Sequence, residues 1–340
     1  MRKLFKHLAL GAALLAGLNA LVPAALAADV KPRIIRFGYG LGENSNQGRA
    51  VKFFAEELAR LSAGKLKVKG FGGASLGTDV QMQNALIGGA QEMMVGSTAT
   101  LVGIVKEFGI WDLPFLFNNE READAVLDGP FGQKLLDKLP EQGLVGLVYW
   151  ENGFRNLTNT KRPVTRLEDL QGIKLRVMQN PVFLEMFNDF GANAVPLPFS
   201  ELFTALETKA VDGQENPVNT IQSSKFYEVQ KYLSMTKHVY SPWIMLASKK
   251  WWDGLSADEQ ALIRQAAAAA RDFERKDSRD EAAKAIAFLK EQGMEVNELS
   301  DAELQRMRDK AQQTVDKFAA EVGPELIKEL QAEIAKVRQP

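Results

Sequence analysis

Apolar and polar positions alternate along the chain in two periods, one of strands and one of helices. Residues 34–39 read as a strand, followed by a Gly- and Asn-bearing loop over 40–46. Ala50, Phe53, Phe54, Leu58 and Leu61 then recur at helical spacing. Residues 65–71 predict a second strand, 80–87 a helix and 92–95 a short buried strand. The rhythm returns with apolar strands at 144–150 and 172–177. Asn180 caps a helix that Pro181 starts and Gly191 stops near Phe190. Residues 194–197 form a short extended piece. Ser200 is expected to cap a helix burying Leu202, Phe203 and Leu206. Strands alternating with helices predict an α/β fold with a mainly parallel sheet.

The last hundred residues change period. After one more apolar strand at 243–248, the capping box Ser256-Ala-Asp-Glu259 opens a helical pattern from Ala257 to Gln292 that Gly293 ends. At about 1.5 Å per residue this reaches roughly 54 Å, longer than one small domain. Its apolar positions hold no clean heptad, so a clamp across two lobes is preferred to a coiled coil. A second box, Ser300-Asp-Ala-Glu303, opens Ala- and Lys-rich helical sequence running almost to Pro340.

The N-terminus sets the expected compartment. Arg2, Lys3 and Lys6 precede an apolar run of Leu, Ala and Gly over 8–22, and Ala25-Leu26-Ala27 is a small-x-small site. This pattern predicts a secretory signal over 1–27, cleaved before Ala28, and a periplasmic mature chain that is not membrane-embedded. An apolar core of about 15 residues is short of the roughly 20 that a span needs. The remaining length, about 313 residues, suits two domains. Residues 28–152 are expected to form one lobe, completed by about 243–255, and 153–242 the other. Residues 256–340 would supply the bridging and C-terminal helices.

Composition narrows the chemistry. Loss of Arg2, Lys3 and Lys6 takes 42 basic residues to 39 against 43 acidic, a net charge near −4. Such a surface argues against a nucleic-acid partner. There is no Cys, and of two His only His238 survives cleavage. A thiol nucleophile and a thiolate metal site are excluded, a zinc centre is disfavoured, and no cofactor is implied. A Ser-His-Asp triad would need His238, and no Gly-x-Ser-x-Gly elbow is present. Paired carboxylates carry no signal in a chain with 43 acids.

Two lobes joined by strands make a cleft, where small ligands lie. Arg176 stands in the strand Ile173-Lys174-Leu175-Arg176-Val177, on the face opposite Ile173, Leu175 and Val177. A guanidinium there wants an anion: a ligand carboxylate held bidentately, or an internal Asp or Glu. The strand pattern does not choose between them. Arg155 lies where the chain leaves the first lobe, and is otherwise a surface Arg. Asn216, in the polar turn Asp212-Gly213-Gln214-Glu215-Asn216-Pro217, offers a hydrogen bond to a carboxylate or serves the turn. Phe199 is core or a ring against a ligand.

These residues resemble the DctP-type solute-binding proteins of tripartite ATP-independent periplasmic (TRAP) transporters over nearly the whole mature chain. The resemblance is carried by Ser75-Leu76-Gly77-Thr78-Asp79, residues 112–117, Gly153-Phe154-Arg155, residues 172–177, Pro198-Phe199-Ser200-Glu201 and residues 204–208. Most specific are residues 211–217 followed by 225–232. It implies two α/β lobes closing on a small organic acid, with a long helix bridging them. By motif it implies Arg176 as the main carboxylate clamp, Arg155 as a second basic contact, Asn216 as a hydrogen-bonding partner and Phe199 as a ring against the ligand. Gln179 stands where some members add a polar contact. Gly96 stands where the family's sialic-acid receptors carry an acid. This argues against sialic acid and leaves C4-dicarboxylates, sugar acids and 2-oxo or 2-hydroxy acids. The implied partner is a TRAP membrane permease. A binding protein of an ATP-driven importer, a periplasmic lyase and an adhesive surface protein are the competing readings.

Overall fold

The computed structural model describes residues 29–338, so the expected signal segment lies outside the described residues. Its first parallel group is β1 (Arg33–Tyr39) between β2 (Leu66–Phe71) and β3 (Met93–Ser97). The crossovers are α1 (Asn46–Leu61) and α2 (Asp79–Gly88). Thr78 fixes the start of α2 by exchanging hydrogen bonds with Gln81 in a full capping box. Helices α3 (Glu120–Leu127) and α4 (Pro130–Leu136) lead into β4 (Leu144–Asn159).

The second parallel group is β5 (Lys174–Val177), flanked by β6 (Asn193–Pro196) and β7 (Gly213–Asn216), with α5 (Pro181–Asp189), α6 (Leu202–Glu207) and α7 (Val218–Ser223) between and after them. The chain returns through β8 (Tyr232–Ser248) and the short α8 (Lys249–Trp252). It then forms α9 (Ala257–Glu291), β9 (Glu295–Glu298), α10 (Asp301–Val322) and α11 (Pro324–Arg338).

The strand order is β2-β1-β3-β8-β4-β7-β5-β6, with β9 on β8. This is the expected two-lobe α/β architecture, with one correction. Apart from the short β8–β9 pair, the sheet is parallel only within each group: β4 and β8 run antiparallel along their length and stitch the groups together. Both are more than twice the length that the apolar runs suggest. Beyond Trp150 and before Trp243 polar residues mix with buried apolar ones such as Leu157, Leu233 and Val239, which breaks the apolar pattern, and Asn152 and Arg155 face the cavity between the halves. The β4–β8 ladder slips between Glu151 and Gly153 and again between Arg155 and Leu157. Gly153 holds φ +112, open to glycine and strained for other residues. These bulges re-aim the side chains of β4 at the midpoint of the molecule.

Helix α9 spans 35 residues, about 52 Å, and its capping box is formed as expected. Leu262, Ile263 and Ala266 join Phe37, Phe54 and Trp150 in one core. Ala285 and Leu289 join Leu202 and Ile221 in another. One rigid helix thus buries its two ends in different halves. The C-terminal helical sequence is interrupted at Gly323 (φ +100) before Pro324. Helix α10 packs Met307 and Ala311 with Phe183 and Phe187, while α11 packs Leu330 and Ile334 with Phe131 and Leu135. The expected cap at Ser200 is not formed. Ser200 lies inside a single 3-10 turn, Phe199–Glu201, that runs directly into α6, so no free first turn is left for it to cap.

Candidate functional site

Arg176 sits near the carboxyl end of β5. Lys174 on the same strand face is exposed, whereas Arg176 is only 2% exposed, because that face passes from solvent into the space between the halves. Its Nε and Nη2 both donate to the carbonyl of Leu197, at 2.9 and 2.7 Å. No carboxylate among the described residues forms an ion pair with it. Burial lowers its pKa to about 10 against the pull of Glu215, so it stays charged at neutral pH. The Leu197 carbonyl fixes one edge of the guanidinium and leaves the other edge to the cavity.

The structure brings Arg155, Arg176, Phe199 and Asn216 to one cavity of about 40 Å³. That is room for roughly three waters at ~10–15 Å³ each, so a small acid enters only if the halves part. Gln179 is not in it. That residue is exposed at an adjoining depression that shares Asp79, Arg176 and Phe199 with the cavity.

Arg155 takes the internal ion pair that the strand pattern had left open for Arg176. Its Nε and Nη2 bond both oxygens of Glu215, with Nη2 to Oε1 at 2.8 Å, and Nη2 also donates to the Glu215 carbonyl at 2.6 Å. The pair is 1% and 0% exposed. Burial alone would push Glu215 up, but Arg155 and the His238 contact at 3.0 Å outweigh it and hold the carboxylate below its ordinary value. Only Nη1 of Arg155 is left, buried and without a partner.

Asn216 ends a side-chain relay. Gln230 donates to two backbone carbonyls and accepts from Thr158, which accepts from Gln214, which accepts from Asn216 at 2.5 Å. Carbonyls only accept, so the direction of every bond is fixed. Asn216 spends one amide proton inward and keeps the second for the cavity. Phe199 is half-buried and packs against cores of both halves, with its ring 6.0 Å from that of Phe226.

Sequence reasoning missed the first-half wall: Gln47, Asp79, Ser97 and Asn152. The usable signal was Asp79, placed by the Thr78 capping box at the first position of α2. Its Oδ2 accepts the Ser97 N–H at 2.9 Å. A Cβ at Gly96 would stand 2.9 Å from that same oxygen, so the Asp79 carboxylate fills the space a side chain at 96 would need. Beneath the cavity, Ser278 of α9 ties both halves. Asn46 of α1 donates to its hydroxyl at 2.7 Å and Asn219 of α7 to its carbonyl at 2.8 Å. Ser278 in turn donates to Glu274, whose other oxygen accepts the Glu151 N–H of β4. Burial raises Glu274 to about 8.

Arg176 thus places a charged guanidinium without an ion-pair partner at a cavity between two tied halves. The model of bacterial extracellular solute-binding protein, family 7 (DctP) matches residues 37–321. The chain belongs to this family. This DctP-type receptor is 54% identical to the sugar acid binding protein DctPAm of Advenella mimigardefordensis, solved in complex with galactonate. The match covers 91% of this chain and all of that one, with TM-score 0.89. A TRAP periplasmic solute-binding protein of Polaromonas sp. JS666 bound to D-erythronate is 39% identical over 88% and 98% of the two chains, with TM-score 0.85. The 2,3-diketo-L-gulonate-binding periplasmic protein YiaO of Escherichia coli K12 is 37% identical over 92% and 95%. None of the described helices of the receptor is long and apolar enough to cross a membrane. Among its described residues, no group of three or more His, Cys, Asp or Glu is placed to hold a metal ion.

Proposed function

We propose that this receptor is exported by the signal over 1–27, binds a small organic acid between lobes 28–152 (completed by 243–255) and 153–242, and delivers it unchanged to a TRAP membrane permease. The observation that carries the reading is Arg176: a buried guanidinium, charged at neutral pH, with no internal carboxylate and one edge on the cavity. A ligand carboxylate completes it, since a dry charge is tolerable only when paired. The second amide proton of Asn216 and Nη1 of Arg155 are the further donors, and Phe199 supplies a ring. The galactonate and D-erythronate complexes of similar proteins favour an acid bearing several hydroxyls. No observation favours an ATP-driven importer or a lyase.

A thermal-shift screen against organic acids tests this. A true ligand at about 100 times its dissociation constant stabilises the folded state by roughly 2.7 kcal/mol, an unmistakable rise in melting temperature. No rise with any carboxylic acid refutes the reading.

A further inference from the structure

We propose that Asp79 sets the ligand class: it accepts a hydrogen bond from a hydroxyl of the bound acid and repels a second carboxylate, so that the receptor takes polyhydroxylated monocarboxylic acids and rejects dicarboxylic ones. This rests on the reading that Arg176 holds the ligand carboxylate.

The charges of the cavity carry the argument. Its ionisable lining groups are Arg155, Arg176 and Asp79. Arg155 is already neutralised by Glu215. That leaves one free cation and one free anion among the described lining residues. Asp79 and Arg176 feel each other's charge yet form no ion pair, and both line the same cavity. A monocarboxylate takes the guanidinium and meets Asp79 with its far end. A dicarboxylate must lay its second anion against Asp79 with no second free cation to receive it, and like charges stripped of water repel strongly.

The hydrogen bonds are equally selective. Oδ2 of Asp79 is taken by the Ser97 N–H, whereas Oδ1 has no donor among the described residues. Burial raises the pKa to about 6, so the group remains mostly an anion, and an acceptor, at neutral pH. Beside it, Gln47 accepts the Leu41 N–H at 2.9 Å through Oε1, which turns its amide N–H groups to the cavity as donors. An acceptor next to a donor suits a hydroxyl, which both gives and takes a hydrogen bond. A methylene satisfies neither, and a carboxylate satisfies only Gln47.

Asp79→Asn inverts one half of this pattern without changing shape. The Ser97 N–H keeps the amide oxygen on its side, so the new N–H₂ faces the cavity. Calorimetry on wild type and variant with three matched series tests the assignment: four- to six-carbon aldonates, the corresponding aldarates, and unsubstituted alkanoates. Wild type is expected to bind an aldonate at least a hundredfold more tightly than its aldarate or alkanoate. In Asp79→Asn the aldonate should weaken at least tenfold while the aldarate gains, so their ratio collapses. A merely structural Asp79 would weaken all ligands alike and leave the ratio unchanged, which overturns the proposal. Wild type binding aldarates or succinate ahead of every aldonate overturns it too, while sparing the carboxylate reading. Failure to bind any carboxylic acid sinks both.

Discussion

Arg155 and Glu215 close on each other as a buried two-point fork, and Arg176, on the neighbouring element, does not share their carboxylate. The two arginines therefore stand in different settings. Arg155, at the cavity wall, holds β4 to β7 through Glu215, and Arg176 has only the Leu197 carbonyl.

Arg155→Ala should destabilise the ligand-free protein. Removing one member of a buried pair leaves the other charge dry and typically costs about 3–5 kcal/mol. Equilibrium denaturation in urea should show that loss, and Arg155→Met combined with Glu215→Leu should recover most of it. A single variant as stable as wild type would mean that Glu215 finds another partner.

Glu274 makes stability depend on pH. Its folded pKa stands near 8, raised by burial from 4.5. Between these values the unfolded chain has released the proton that the folded chain still holds. Stability from this group is therefore full below about pH 4.5 and is lost as pH rises toward 8, with a slope of up to about 1.4 kcal/mol per pH unit. Glu274→Gln keeps an acceptor for the Glu151 N–H and an amide for Ser278, and should flatten that slope. Melts of both proteins across pH 5 to 8 decide it, and parallel curves would place the proton elsewhere.

Local periodicity and cap signals made the parallel groups, α9 with its capping box and the Ser300 cap of α10 legible, because those elements follow local patterns. It failed where burial is polar. Gln214, Glu215 and Asn216 look like a turn but form β7, since Arg155 and the Thr158 relay satisfy them inside the protein. Glu151, Asn152 and Gly153 fall outside the apolar run ending at Trp150 but continue β4 through a bulge. Arg155, Arg176, Phe199 and Asn216 were found from the sequence and do meet at one cavity, whereas Gln179 stays at its mouth. Asp79 was missed as a site residue because its role comes from a tertiary contact with Ser97, which no local pattern encodes.

The proposed binding site stands or falls with Arg176 as the anion clamp. Isothermal titration of wild type, Arg176→Ala and Arg176→Lys, using the acid that most raises the wild-type melting temperature, tests it most directly. Arg176 has no internal ion pair to lose, so Arg176→Ala should stay folded and close to wild-type stability, unlike Arg155→Ala. Its affinity should fall by about 3–5 kcal/mol, on the order of a hundred- to several-thousandfold. Arg176→Lys should also bind poorly, since a point charge cannot hold the Leu197 carbonyl and a carboxylate with one planar fork. A folded Arg176→Ala that binds within about threefold of wild type, well under 1 kcal/mol, would contradict the account.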